Sequence, residues 1–289
     1  LAFVLLLASA VASPLAAPLA AQRRIGMIPV GASELRDTVA LYSTDRSALG
    51  RRWTVEFSPA RRARFATFYE GWRARLAKID FNKLSQEGKI DYVLLESKVK
   101  AEQAQLRREE KLAGEMAALV PFATVVTELE EKRRRFEPVD APGSARALAK
   151  LAATADSLTR AVRAKPANSA TRPERIVALR TVGYLDDLQG TLRNWNRFYS
   201  GYDPEYSWWT ADPMRRANTA LTNYQKAIRE AIIGQRDGQE EPIVGDPIGL
   251  DGLREDLAAE MIAYEPQELI DLAEREFAWI ETEQKKAAR

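Results

Sequence analysis

Cysteine and histidine are both absent from the 289 residues. Without cysteine there is no disulfide, no thiolate zinc site and no sulfur nucleophile. Without histidine there is no Ser-His-Asp or Cys-His catalysis and no imidazole-held zinc within these residues. An excess of one charge is lacking as well. Lysine plus arginine number 43 against 41 aspartates and glutamates, a net charge of +2 that gives no electrostatic footprint for nucleic acid. No fixed period links the segments, which argues against a repeat array. What remains is an ordinary globular balance, 46% hydrophobic and 29% charged, on a length that fits one large or two small domains.

The first residues form an apolar run, Leu-Ala-Phe-Val-Leu-Leu-Leu at 1–7, followed by small residues and proline. That is the hydrophobic and cleavage region of a secretory signal peptide without its basic start, and it is too short to span a membrane comfortably. Cleavage is expected after Ala12 or after Ala21. The expected organisation is therefore a signal peptide over 1–21, then a helical part over 22–289, with a secreted or periplasmic location and no membrane contact once the signal is removed. The last residues read as a helix without a Gly or Pro stop, so 22–289 is expected to be the N-terminal part of a larger domain.

Helical periodicity dominates the rest. Leu35, Val39 and Tyr42 mark a first helix from 33 to 49, with a break over 50–57. Ser58-Pro59 is a capping hydroxyl followed by proline at the first helical position, and Phe65, Phe68, Trp72, Leu76 and Ile79 share one face after it. Ser85 is placed to cap a third helix, whose inward row reads as Ile90, Leu94, Ala101 and Ala104. The charge run at 128–135 places Glu128 with Lys132, Glu130 with Arg134 and Glu131 with Arg135 at i,i+4, which is the pattern of a solvated helix face. A linker over 138–142 precedes a helix with Leu148, Leu151, Ala155, Leu158 and Val162 on one stripe. The next helix carries Ile176, Leu179, Val182, Leu185, Leu188 and Leu192. The expected fold is all-α, a large body of nine or ten helices with long irregular aromatic and Gly-Asp-Pro loops.

Those two loops are the distinctive text. Seven of the fifteen residues at 195–209 are aromatic, too apolar a set to float free in water, so they pack on the helices or line a cleft. Gly201 and Pro204 read as its breaks, and Asp212-Pro213 as the start of the next helix. The second loop, 242–249, holds Gly-Asp-Pro-Ile-Gly between Ile243, Val244 and Ile248, whose apolarity points to burial. It lacks the Lys-Ser/Thr ending of a phosphate loop. Both loops join apolar residues to an Asp-Pro step, as a cleft with fixed polar groups requires. Tyr202, Asp203, Trp208, Trp209 and Asp246 are therefore the substrate-cleft candidates, with both loops expected on one side of the body. Buried packing is the plainer role for the Trp208–Trp209 pair. Asp186, Asp187, Glu255, Asp256 and Glu260 form no sharp constellation for a hard cation. No catalytic residue and no metal ligand is assigned.

Taken together, Gly-Tyr-Asp-Pro at 201–204, Trp208-Trp209, Gly-Asp-Pro-Ile-Gly at 245–249, Glu-Met-Ile at 260–262 and Glu-Leu-Ile at 268–270 leading to Glu-Arg-Glu-Phe at 274–277 resemble a bacterial family. It is the one catalogued as domain of unknown function 885. The resemblance covers the N-terminal half of that family. It implies an exported, largely helical, zinc-dependent metallopeptidase-like hydrolase whose histidine motifs lie in the other half. Zinc is then expected in the full-length protein and no cofactor in these residues, with a peptide or small molecule as substrate and no nucleic acid. A non-enzymatic secreted helical binding or scaffold protein is the alternative. Glu265 stands where the resemblance implies threonine before Pro266, a weaker cap.

Overall fold

Helix starts in this chain repeat one device, a polar cap followed by proline. Ser58 Oγ accepts from the Arg61 N–H at 3.2 Å ahead of Pro59, and Asp140 Oδ1 accepts from the Gly143 N–H at 2.8 Å around Pro142. Asp203 Oδ1 accepts from the Tyr206 N–H at 2.9 Å ahead of Pro204. Each satisfies a backbone donor that the helix cannot, while proline occupies a site where no N–H is needed. Glu265 serves as well: its backbone N–H donates to Glu268 at 2.8 Å, closing the reciprocal half of a capping box.

The structure is a computed structural model that describes residues 33–165, 169, 172–201, 203–236, 238–240 and 243–288. The proposed signal peptide and Tyr202 lie outside the described residues. Nine α-helices run through the described residues: α1 Arg36–Arg52, α2 Pro59–Leu76, α3 Gln86–Met116, α4 Ala123–Arg134, α5 Ala141–Ala164, α6 Arg175–Ser200, α7 Pro204–Ile228, α8 Gly249–Ala259 and α9 Pro266–Ala287. No strand occurs among the described residues, and none of their helices is long and apolar enough to cross a membrane. The all-α expectation holds.

Two apolar cores divide the helices. The larger joins α4 to α7 and the end of α3, with Leu148, Leu151, Leu185, Leu188, Leu192, Leu221 and Tyr224 fully enclosed. The smaller joins α1, α2 and the first half of α3 through Tyr42, Phe65, Phe68, Trp72, Leu95 and Val99. Helix α3, 31 residues and about 46 Å long, belongs to both. The most extensive helix pair is α5 with α7. The Tyr224 hydroxyl donates to the Leu119 carbonyl at 2.8 Å and locks α7 to the α3–α4 turn. Antiparallel pairing of α6 with α7 is fixed by Gln189 to Thr222 and by Gln225 to the Val182 carbonyl. Helix α7 ends in a π turn, Arg229–Ile233, closed by Gly234 at φ 80°, a left-handed angle that glycine adopts without strain. Arg175 donates to the Ile233 carbonyl there and ties the turn to the start of α6.

Five expectations need correction. The break placed at 50 begins only after Arg52. On α3 Ala104 is buried as expected, but the rest of the inward row is Leu95 and Val99, while Ile90 and Leu94 face water. Leu94 and Leu95 are both apolar, and only the aromatic face of α2 decides between them. The charge run of α4 is not a solvated face: Glu130 and Glu131 are 3% and 7% exposed. Glu130 holds Arg133 and Arg134, while Glu131 accepts a hydrogen bond from Ser58 Oγ. Ser58 thus caps α2 and docks α4 with the same hydroxyl. The fourth correction concerns the aromatic stretch, which is no loop. Residues up to Ser200 end α6, and α7 begins at Pro204 and runs straight through Pro213. Proline there leaves the Trp209 carbonyl without its helical donor, a disruption of about 3 kcal/mol. The buried row Tyr206, Thr210, Met214, Ala217, Leu221, Tyr224 and Ile228 offsets it. The Gly-Asp-Pro segment is irregular as expected, but Ile243 and Ile248 are exposed rather than buried.

Candidate functional site

The aromatic stretch splits into two populations. Trp195 and Tyr199 lie one turn apart on α6 and continue the stripe of Leu188 and Leu192 into the core. Tyr206 faces them from the first turn of α7, with ring centroids 5.3 Å from Trp195 and 5.2 Å from Tyr199. The Trp195–Tyr206 pair is edge-on and the Tyr199–Tyr206 pair tilted, and ring packing of this kind adds to the apolar burial. The Tyr206 hydroxyl donates to Asn196 Oδ1 at 2.9 Å, and burial holds its pKa well above the ordinary phenol value, partly opposed by Thr210. It is a structural hydrogen bond and not a proton donor near neutrality.

Trp208 and Trp209 form the other population. They are 75% and 39% exposed, packed edge to face with centroids 4.8 Å apart. Neither is core, so the plainer expectation for the pair fails. Asp203 is occupied as the cap of α7. Asp246 lies elsewhere: its carboxylate takes Arg180 at 2.7 Å, and Arg180 also holds Glu115. Arg180 is fifteen residues before Trp195, about 22 Å along α6. The structure therefore does not gather Trp208, Trp209 and Asp246 into one site. The α6–α7 hairpin puts the two segments near opposite ends, and the chain after Gly234 does not run back far enough to reunite them.

A cavity of about 300 Å³ does form beside the aromatic stretch, between α4, the 137–140 segment, α5 and α6. Trp195 and Tyr199 contribute to its floor with Val125, Leu129 and Ala147, and Glu128, Lys132, Glu137 and Asp140 stand among its lining. Apolar walls with a few charged groups at the edge are the usual make-up of a ligand site, at the small end of the range. The rim was invisible from sequence because Glu128 and Lys132 read as one helix's own ion pair. The floor was within reach: Trp195 and Tyr199 extend the α6 stripe in register.

The carboxylates do not assemble a metal centre. Glu56, Asp186 and Asp187 line an open depression of about 500 Å³ over α6, and burial together with Asp186 raises the Asp187 pKa. Glu255 is taken by Arg107 and Arg108, and Asp256 by Arg108. Among the described residues no group of three His, Cys, Asp or Glu side chains is placed to hold a metal. With no imidazole or thiolate in the sequence, the donor set does not fit zinc. No family model, curated protein or solved structure matched the chain in the comparisons made.

Proposed function

We propose that this chain is the N-terminal helical part of a secreted zinc-dependent metallopeptidase-like hydrolase, supplying walls of a substrate cleft and none of the metal ligands. One observation carries the reading. Helix α9 is amphipathic over 22 residues yet buries none of them, and Ile270, Phe277, Trp279 and Ile280 stand exposed with Leu250, Leu253, Met261 and Tyr264 of the adjoining α8 region. Ile270, Phe277 and Ile280 fall on one side of α9, and an uncovered apolar row of this kind marks a face that something else covers. A further portion of the same polypeptide is the simplest cover, and the natural source of ligands that this sequence lacks. The residue pattern shared with the exported family points the same way. No catalytic step is assigned to these residues.

The test is to express the polypeptide encoded through and beyond Arg289 beside the 289-residue chain and to measure zinc content and peptide hydrolysis. The longer product is expected to hold about one zinc per chain and to cleave peptides, and the shorter to do neither. A coding sequence that stops after Arg289, or a longer product without metal or activity, contradicts the proposal. Export is checked separately: residues 1–21 behind a restored basic start should carry a reporter out of the cytoplasm and be cleaved. A second reading, a secreted binding or scaffold protein without catalysis, is favoured by the aromatic-floored cavity, which needs no metal to hold a ligand.

A further inference from the structure

We infer that the cavity floored by Trp195 and Tyr199 binds a compact organic cation, an ammonium or guanidinium on a short apolar stem. The inference is independent of the hydrolase reading and concerns only groups in this chain.

Charge comes first. Three carboxylates, Glu128, Glu137 and Asp140, line the cavity against one ammonium, Lys132. Two of the three are partly answered, since Arg135 pairs with Glu137 at 2.6 Å and Asp140 accepts the Gly143 N–H. Glu128 makes no ion pair among the described residues, although Lys132 is one turn away on the same exposed face. An uncommitted carboxylate therefore stands in the cavity lining. Arg135 is spent on Glu137, and Arg133 on the same helix is chelated by Glu130 at 2.5 and 2.8 Å and stacked 4.9 Å over the Phe198 ring, so neither is free to answer Glu128.

The floor suits the stem of such a ligand. Trp195 and Tyr199 are almost wholly buried, and with Val125, Leu129 and Ala147 they give the cavity an apolar bottom for a short hydrocarbon chain. One feature opposes a cation: the N-terminus of α5 opens onto the cavity through Gly143 and Ser144. Its partial charge, about half a unit, is already countered by the full charge of the Asp140 cap. An anion would meet three carboxylates, and a purely apolar ligand would leave Glu128 without a gain. A volume of about 300 Å³ admits a lysine- or arginine-sized group and little more.

The experiment is calorimetric titration of the full chain with n-butylammonium, N-acetyl-lysine methylamide, its arginine counterpart, and the norleucine and glutamate analogues. Cationic probes should bind at least tenfold more tightly than norleucine, and glutamate should not bind. Tighter binding of the capped amino acids than of n-butylammonium identifies a peptide side chain as the ligand, while equal binding identifies a free amine. Glu128→Gln should weaken binding about five- to tenfold, and Lys132→Met should strengthen it severalfold. Both positions are exposed, so folding is not at stake. Ala147→Phe fills the cavity and should abolish binding, with thermal melting confirming that the variant folds. Norleucine binding as well as lysine, no saturable binding of any cation, or Kd values unchanged by Glu128→Gln would overturn the inference.

Discussion

Helices α7 and α9 are near equals in sequence and opposites in the fold. They have 25 and 22 residues, both start with proline, and both carry an apolar row at helical spacing. Helix α7 buries Tyr206, Thr210, Met214, Ala217, Ala220, Leu221, Tyr224, Ala227 and Ile228 against α5 and α6. Helix α9 carries Leu269, Ala273, Phe277 and Ile280 on one side and buries nothing, touching mainly α8. Phe277 is 65% exposed. Amphipathicity thus announces that a face exists and says nothing of what covers it. For α7 the cover is in the chain. For α9 it is not among the described residues, and that asymmetry is the physical basis of the functional proposal.

The contrast should be largest in stability. Leu221→Ala in α7 is expected to cost about 2–5 kcal/mol, the range for truncating an enclosed leucine, whereas Ile280→Ala in α9 should stay within about 0.5 kcal/mol in this chain. Urea unfolding of both variants checks this, and equal losses would break the comparison. Next comes the joint between the two cores. Glu131→Ala leaves the Ser58 hydroxyl buried without its acceptor and should cost about 1–3 kcal/mol.

A smaller effect is expected in the lesser core, and it depends on pH. Glu102 is partly desolvated, yet the hydrogen bonds from Tyr69, Lys98 and Arg46 outweigh this and hold its carboxyl below the ordinary value. A depressed carboxylate contributes stability above its unfolded pKa and loses it as pH falls through the folded one. Glu102→Gln should therefore cost about 1 kcal/mol at neutral pH, discounted for its partial exposure, with the gap to the parent closing in acid. Melting across pH 2.5–7 reads the trend about the glutamate range. Smallest of all is Trp208→Ala, expected within about 0.5 kcal/mol because the ring is mostly in water. A loss of about 3–5 kcal/mol would restore the core role for that residue.

Helix identity was legible because caps and stripes agreed: Ser58-Pro59, Ser85 and the leucine rows of α5 and α6 all stand where their spacing puts them. What failed were choices between two locally equal signals. Asp203-Pro204 and Asp212-Pro213 are the same helix start in writing. The first prevails because Tyr206, Thr210 and Met214 already belong to the buried row, so stopping the helix there would expose it. The buried Glu130 and Glu131 were hidden for a related reason. Helical i,i+4 charge pairs satisfy themselves on paper, and only the Ser58 turn packing against α4 removes that side from water. Of the candidate cavity, Trp195 and Tyr199 fall within the aromatic stretch singled out in the sequence, but the cleft role there went to Tyr202, Asp203, Trp208, Trp209 and Asp246, and the structure holds Trp208 and Trp209 apart from Asp246. Their separation is a property of the α6–α7 hairpin and of no local sequence.

Hydrogen exchange along α9 tests the central claim most directly, with this chain alone compared against the longer polypeptide that the functional proposal requires. In the chain alone, α9 amides should exchange far faster than those of α7, since no tertiary burial supports that helix. In the longer polypeptide they should become protected to the level of α7. Strong protection of α9 in the monomeric 289-residue chain, or no gain of protection in the longer one, would contradict the proposal that its apolar face is covered by a further portion of the polypeptide.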